Sequence, residues 1–234
     1  MIYVFETMGT VVSIEPPLRV REIEAVFAEL NERFSLYRAD SELSRIADGS
    51  LSMIDASPEL RGAYARALEW RALTADAFTP HRPDGVVDLS GIVKALAMDA
   101  ARDLLADSEH WILNAGGDVL TSGQEATVGI TDPFDRTRLL TSVRLGGSRR
   151  AVATSGTAER GDHIWGRGGF AQVTVVADDI IQADVLATAI IAGGVDSLNA
   201  STSSWDIDVL AVDLAGNLFA TPGFTSAIAS ALVT

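Results

Sequence analysis

The chain has 234 residues, of which 47% are hydrophobic, and it contains no cysteine. That length can bury a full core without added cross-links, and the lack of cysteine excludes a disulfide framework, a thiolate zinc site and a cysteine nucleophile. The formal net charge of −14 argues against a nucleic-acid or anionic-membrane surface, because both need a basic patch. We therefore expect the partner to be a small molecule or a protein.

The first residues of the chain, MIYVFETMGTVVSIEP, lack the basic region and the apolar region of a secretion signal. No later stretch reaches about eighteen uninterrupted apolar residues, the length that a membrane-spanning helix needs. If Met1 is the natural start, we expect a cytoplasmic protein with no membrane partner.

The first half of the chain contains strand and helix patterns. Residues 2–15 alternate in polarity and are rich in Val, Ile and Tyr, which predicts two strands broken near Gly9. Apolar residues recur at helical spacing over 23–34, which predicts a helix with one buried stripe. A second helix is predicted over 58–74, opened by a proline that fits the first turn, and a third over 93–105.

Short strand patterns dominate the second half. They fall in HWILNAGG, ATVGIT, LLTSVRL, RAVATSG and QVTVVAD, separated by Gly, Asp and Ser turns. A fourth helix is predicted over 183–192, and WDIDVLAVDLAGNLFAT predicts a hairpin with an Ala-Gly-Asn turn. Because the strands cluster instead of alternating with helices, we expect an α+β fold with an antiparallel sheet, in a single domain of residues 1–234.

Several common catalytic motifs are absent from the sequence. It contains no G-x-x-x-x-G-K-[ST] loop, no G-x-G-x-x-G after a strand and no G-x-S-x-G elbow. His81, His110 and His163 stand at no metal-ligand spacing. These absences argue against a P-loop, a dinucleotide-binding Rossmann turn, a nucleophile elbow and a zinc site.

Lys94 is the single lysine beside seventeen arginines, and it lies in DLSGIVKALAMD. Its compact ammonium group reaches a single phosphate oxygen without the planar fork of arginine. The segment predicts a strand end, a Ser-Gly turn and a helix, and the N-terminus of a helix offers unpaired backbone groups to a ligand. Asp88 before this turn is more often a capping residue than a ligand.

Asp184 and Thr188 are four residues apart on the fourth predicted helix, so their side chains face the same way, with Asp184 in the first turn. Mg²⁺ prefers a carboxylate and neutral oxygens, completed by the phosphates of a substrate. The alternative is an acidic residue favoured by the helix dipole and a threonine packed at an interface. The two residues alone leave both interpretations open.

Two loops carry small or polar residues. In NAGGD, Asn114, Gly116 and Gly117 permit close backbone approach to a ligand, although a plain tight turn has the same pattern. In TSGTAERGDHIW, His163 offers a proton shuttle near neutral pH, whereas a lone surface histidine is the usual outcome.

The order of these motifs resembles the ApbE family, whose members are FAD-dependent FMN transferases that flavinylate proteins. The matching segments run from about residue 8 to about residue 220 and are MGT, FSLYRADSELSRI, AFTP, DLSGIVKALAMD, NAGGD, TSG and ADVLATAI. The resemblance implies a T-fold-like architecture, with a largely antiparallel sheet, packed helices and a flavin cleft between two lobes. It also implies an acceptor protein that carries a threonine to be flavinylated.

The resemblance further implies roles for individual residues. Mg²⁺ is expected on the main-chain carbonyl of Gly91 and the side chains of Asp184 and Thr188, where it also touches the diphosphate of FAD. Lys94, Asp184 and His163 match catalytic positions, and His163 is a candidate for proton handling. The positions that match FAD contacts are Met8, Tyr37, Ala77, Phe78, Thr79, Asp88, Lys94 and Trp165.

Three features depart from the family pattern. Thr79 replaces the usual Asp, Ala95 replaces the usual Gly after the lysine, and WGRGG follows His163-Ile164 in place of D-P-x-T-G. These changes leave three functions open. The first, which we favour, is a Mg²⁺-dependent transferase acting on a partner protein; the others are a FAD pyrophosphatase that releases FMN and AMP, and a non-catalytic flavin-binding protein.

Overall fold

The computed structural model describes residues 1–156 and 169–229. The chain divides into two compact units, Met1–Gly116 and Gly117–Thr234. Both units combine helices with antiparallel strands, so the predicted α+β fold with an antiparallel sheet is confirmed. The single domain and the flavin cleft stay predictions.

The first unit consists of antiparallel strands and packed helices. Its strands pair in the order β1-β2-β3 and are Tyr3–Thr7 (β1), Thr10–Glu15 (β2) and Ile112–Ala115 (β3). Its helices are Val20–Phe34 (α1), Glu42–Ala47 (α2), Pro58–Leu73 (α3) and Ser90–Leu104 (α4), with a 3-10 turn at Met53–Asp55. The predicted break between the first two strands is confirmed, since Met8 and Gly9 connect them with φ angles of 51° and 69°.

Local sequence signals account for the helices of the first unit. Ile23, Phe27 and Phe34 of α1 are buried at the predicted spacing, and α1 packs against α4. The Ser57 hydroxyl oxygen accepts a hydrogen bond from the Leu60 amide at 3.2 Å, and a proline occupies the first helical position of α3. The start of α3 at Pro58 is therefore as predicted.

The second unit is built on an antiparallel sheet in the order β4-β7-β8-β9-β10, with β5 and β6 paired beside it. Its strands are Asp118–Thr121 (β4), Ala126–Thr131 (β5), Leu139–Leu145 (β6), Ala151–Gly156 (β7), Phe170–Ala177 (β8), Asp208–Asp213 (β9) and Leu218–Ala220 (β10). Its helices are Ile180–Ser204 (α5) and Pro222–Ala227 (α6). The predicted hairpin near the C-terminus is confirmed by the pairing of β9 with β10.

The sheet of the second unit is covered on both faces. Helix α5 packs on β7 and β8, while β6 and β9 contact α6. Every residue of β8 is buried, which explains its almost unbroken apolar sequence, FAQVTVVA. Opposite α5 lies a hydrophobic cluster that includes Val119, Ile130, Val143, Val152, Val176, Leu210 and Phe224.

Two predicted helix starts are wrong. Helix α4 begins at Ser90, three residues before the predicted start, and α5 begins at Ile180, also three residues early. The Asp179 carboxylate accepts a hydrogen bond from the Gln182 amide at 2.8 Å and so caps the earlier start of α5. Asp184 consequently lies in the second turn of α5 and not in the first, where the helix-dipole argument would have applied.

Helix α5 also runs beyond its predicted end. It extends to Ser204 across an irregular point at Gly194, whose φ of 67° and ψ of −147° are not helical. This helix is long and apolar enough to cross a membrane, but 61% of its most apolar window is buried within the protein. Such burial is typical of a core helix, and the predicted cytoplasmic location stays a prediction.

Candidate functional site

In the first unit, the A-F-T segment packs against the D-L-S-G turn. Phe78 is 3% exposed, and a Cβ added at Gly91 would lie 3.2 Å from its Cε2 atom. The Asp88 amide donates a hydrogen bond to the Pro80 carbonyl at 2.8 Å. Two stretches that the resemblance implicates in FAD binding thus lie side by side and are joined by a main-chain hydrogen bond.

Thr74, at the end of α3, holds the backbone segment that leads to Phe78. The Thr74 hydroxyl donates to the Trp70 carbonyl at 2.8 Å and accepts from the Phe78 amide at 3.1 Å. Ala75 and Asp76 between them adopt positive φ angles of 49° and 66°, which non-glycine residues rarely do. The backbone is therefore held in an uncommon conformation directly before the predicted FAD contacts Ala77, Phe78 and Thr79.

Thr79 has a local role at the position where the family usually carries Asp. Its hydroxyl oxygen accepts a hydrogen bond from the His81 amide at 3.2 Å. On the same segment, Nε2 of His81 lies 2.9 Å from the Tyr64 hydroxyl, which ties the segment to α3. Thr79 therefore shapes this turn through an interaction that an aspartate could make as well.

The start of α4 carries Asp88, Gly91 and Lys94. An oxygen of the Asp88 carboxylate accepts a hydrogen bond from the Ser90 amide at 2.9 Å, which closes an Asx turn just before α4. The N-cap of α4 is Leu89, without a side-chain capping hydrogen bond, so the capping role favoured for Asp88 is wrong. Lys94 follows Gly91 by three residues on the helix, so the two share one face. Lys94 is half-buried, and its predicted contact with FAD stays a prediction.

Tyr37 lies on a loop that serine side chains hold in place. The Ser35 carbonyl accepts hydrogen bonds from the hydroxyls of Ser41 at 2.6 Å and Ser44 at 3.1 Å. Tyr37 itself is 88% exposed. A large aromatic ring is thus presented to solvent on an ordered loop, which suits stacking on a planar ligand.

Glu42, the first residue of α2, joins the loop that carries Tyr37 to α3. The Glu42 carboxylate accepts a hydrogen bond from the Ser57 amide at 2.7 Å and forms an ion pair with Arg33 at 3.3 Å. Burial alone would raise the pKa of Glu42, but the hydrogen bonds from Ser57 and the Arg33 charge outweigh it and lower that pKa. The charged form of Glu42 is therefore part of the folded structure.

In the second unit, Asp184 and Thr188 lie one turn apart on α5. Asp184 is 2% exposed although most of its neighbours on the helix are apolar. The Thr188 hydroxyl lies 3.1 Å from the Ser155 hydroxyl at the end of β7. These two residues are 33 positions apart in the chain, and the A-D-x-x-A-T and T-S-G segments therefore meet directly.

The N-A-G-G-D segment joins the same strand. The Asp118 carboxylate, 1% exposed, accepts a hydrogen bond from the Thr154 amide at 3.0 Å. The side chains of Thr154 and Thr174 meet at 2.9 Å on neighbouring strands. The sequence reasoning named neither Asp118 nor Ser155 as a site residue, although both stand in motifs that it had singled out.

The chemistry of the candidate ligands suits a hard cation. Among residues 1–156 and 169–229, no group of three or more His, Asp or Glu side chains is placed to hold a metal ion. One carboxylate and one hydroxyl on one helix face form an all-oxygen set that is compatible with Mg²⁺ and needs neutral oxygens and phosphates to complete it. Gly91 belongs to the first unit and Asp184 to the second, and the predicted shared ion stays a prediction. His163 and Trp165 lie outside the described residues.

Comparison with known proteins places the chain in a family. The sequence model of the ApbE family matches residues 8–82 and 81–211. The chain belongs to the ApbE family. No curated protein matches the chain.

Solved structures of ApbE proteins share the fold. The ApbE protein of Thermotoga maritima has a TM-score of 0.81 at 22% identity, covering 98% of this chain and 99% of that one. The flavin transferase ApbE of Vibrio cholerae has a TM-score of 0.76 at 22% identity, with 97% and 98% covered. The flavinyl transferase ApbE of Pseudomonas stutzeri has a TM-score of 0.78 at 20% identity, with 97% and 96% covered. At these identities the likeness shows the fold, and the predicted ApbE-like architecture is confirmed.

Proposed function

We propose that this chain is a Mg²⁺-dependent FAD:protein FMN transferase, which moves FMN from FAD to a threonine hydroxyl of a partner protein. The observation that carries the proposal is the family match, which extends over residues 8–82 and 81–211. Relatives in solved structures are named as flavin transferases. The motif residues in both units support the same activity, because they combine an exposed aromatic ring, one lysine and an all-oxygen ligand pair.

The reaction exchanges the phosphoanhydride bond of FAD for a phosphoester bond. The acceptor hydroxyl oxygen attacks the phosphorus on the FMN side of the FAD diphosphate, and a new O–P bond forms. The bond to the bridging oxygen breaks, AMP leaves with the electron pair, and the hydroxyl proton passes to a base. The resemblance assigns proton handling to His163, and a base within about 3 Å of the hydroxyl would accelerate this step.

The residues of the first unit would bind FAD. Tyr37 offers an exposed ring for stacking on the flavin or the adenine. The turn at 77–79, anchored by the buried side chain of Phe78, offers main-chain groups for hydrogen bonds to FAD. Lys94 would neutralise charge that builds up on phosphate oxygens, which matters in a chain whose formal net charge is −14. Repulsion from the carboxylates would otherwise weaken the binding of a diphosphate.

Asp184, Thr188 and the carbonyl of Gly91 would hold the Mg²⁺ ion. Their oxygen chemistry fits this ion, and Asp184 is the single carboxylate among them. When bound, Mg²⁺ supplies Lewis acidity toward phosphate oxygens and orients the diphosphate. The role of these side chains is to provide a fixed set of oxygens, and burial of Asp184 within α5 meets that requirement.

A nucleotide assay tests the proposal. The purified protein is incubated with FAD and Mg²⁺, alone and with a lysate of its source cells, and nucleotides are separated while proteins are viewed for flavin fluorescence on a denaturing gel. A transferase gives AMP and a fluorescent protein band only when the lysate is present, and neither product with EDTA. Asp184→Ala serves as the control for enzymes in the lysate.

The same assay identifies the two alternatives. AMP and FMN in equal amounts without the lysate would show a FAD pyrophosphatase, which needs no acceptor. Unchanged FAD in every arm, together with flavin that stays bound to the protein, would show a non-catalytic flavin-binding protein. Either result would overturn the proposed transfer reaction.

A further inference from the structure

The hydroxyls of Ser155 and Thr188 form a direct link between β7 and α5. Their oxygens are 3.1 Å apart, and either one has the geometry to donate. Ser155 is 9% exposed, so few water molecules compete for its hydroxyl. This link joins the T-S-G motif to one of the two side chains that we propose as Mg²⁺ ligands.

We infer that Ser155 is a positioning residue that orients the Thr188 hydroxyl toward the cation, an inference that rests on the proposed function. A hydroxyl oxygen that coordinates a cation uses a lone pair, and its proton must then be donated elsewhere. The Ser155 oxygen lies where it accepts that proton. Partners of this kind hold ligands in place and strengthen their binding.

Ser155 can act in this way because its own strand is held firmly. Ser155 pairs with Val173 of β8, and the preceding amide, that of Thr154, donates to the buried Asp118 carboxylate at 3.0 Å. Successive side chains of a strand point to opposite faces. The Ser155 side chain meets α5, whereas the Thr154 side chain meets Thr174 at 2.9 Å.

This alternation provides a matched control. Ser155→Ala removes the hydroxyl that faces Thr188, and Ser155→Thr retains a hydroxyl at that position. Thr154→Val removes a hydroxyl–hydroxyl contact of similar length from the neighbouring position of β7, away from α5. If Ser155 acts only through strand stability, Ser155→Ala and Thr154→Val should behave alike.

The test measures the affinity for Mn²⁺, as a substitute for Mg²⁺, from the electron paramagnetic resonance signal of the free ion, with and without FAD. We expect Ser155→Ala to weaken Mn²⁺ binding about 10-fold or more, Ser155→Thr to restore most of it, and Thr154→Val to leave it unchanged. In a Thr188→Val background, Ser155→Ala should have no further effect, because the hydroxyl that it orients is gone. Circular dichroism identifies any variant that fails to fold, and Ser155→Cys, a much weaker acceptor, then replaces Ser155→Ala.

The outcomes separate this inference from the proposed function. Asp184→Ala should abolish Mn²⁺ binding, and an unchanged affinity in that variant would overturn the proposed metal site and the role of Ser155 with it. Weakened binding in Asp184→Ala but parental affinity in folded Ser155→Ala would overturn the role of Ser155 alone. An equal loss in Thr154→Val would also overturn it, since the effect would then belong to the strand.

Discussion

Gly91 is the position at which the structure gives the sharpest prediction. A Cβ at this residue would lie 3.2 Å from Cε2 of Phe78 and 3.9 Å from Cζ, which is tight enough that the buried ring must move by a few tenths of an ångström. Replacing a helical Gly by Ala contributes up to about 1 kcal/mol of stability, whereas overpacking a core costs about 1–3 kcal/mol. We therefore expect Gly91→Ala to be neutral or to lower the free energy of unfolding by up to about 2 kcal/mol.

Gly62 provides the control, because it lies within α3 and a Cβ there would meet no atom within 4 Å. Gly62→Ala should gain up to about 1 kcal/mol, since only the helix-propensity contribution applies. Urea denaturation of both variants measures the difference in the free energy of unfolding. FAD affinity, measured by flavin fluorescence, should fall in Gly91→Ala and not in Gly62→Ala. Equal stabilisation in the two variants, with FAD affinity unchanged, would refute the contact between Phe78 and Gly91 as the reason for a glycine.

The remaining predictions concern acid stability, a tight turn and the lysine. The folded-state pKa of Glu42 is lowered from 4.5. The stability that its ionised form contributes is therefore present above pH 4.5 and is lost as the pH falls through the folded pKa. In Glu42→Gln, the free energy of unfolding, measured by denaturation at a series of pH values, should fall less steeply below pH 4.5. Gly116→Ala should destabilise the protein by about 1–3 kcal/mol, because the φ of Gly116 is 61° and the new Cβ would clash with the Thr10 hydroxyl oxygen. Thermal denaturation measures this, and a melting temperature equal to that of the parent would contradict it. Lys94→Ala should weaken FAD binding more than it changes the melting temperature, and the opposite result would show a structural role.

Regular elements of the fold were predictable wherever the pattern was long enough to identify them. Helix α1 follows from the apolar spacing over 23–34, and α3 follows from its proline start. Helices α2 and α6 span six residues each, which is less than two turns and too short for a periodic pattern to stand out. The start of α5 depends on the Asp179 cap, and an acidic residue before a helix pattern does not by itself reveal which position it caps.

The site residues named from the sequence stay predictions, and the contacts around them could not be predicted from it. Helical spacing identified Asp184 and Thr188, and the resemblance to a family added Gly91, whereas the structure showed the Ser155 hydroxyl beside Thr188. The close approach of Phe78 to Gly91 and the hydrogen bond between Thr188 and Ser155 join residues of different elements. No local pattern encodes such pairs, because they depend on how the elements pack.

Neutral hydroxyls support three of the segments that carry candidate residues. Thr74 fixes the turn before Phe78, and Ser41 closes the loop that carries Tyr37; in the second unit, Ser155 contacts Thr188. A hydroxyl supports its neighbours without adding charge beside the proposed diphosphate and cation sites, and it does not titrate between about pH 5 and 9. These hydrogen bonds consequently persist across the neutral range. A change in turnover with pH in that range would therefore report the groups that handle the proton and the phosphates, and not these hydroxyls.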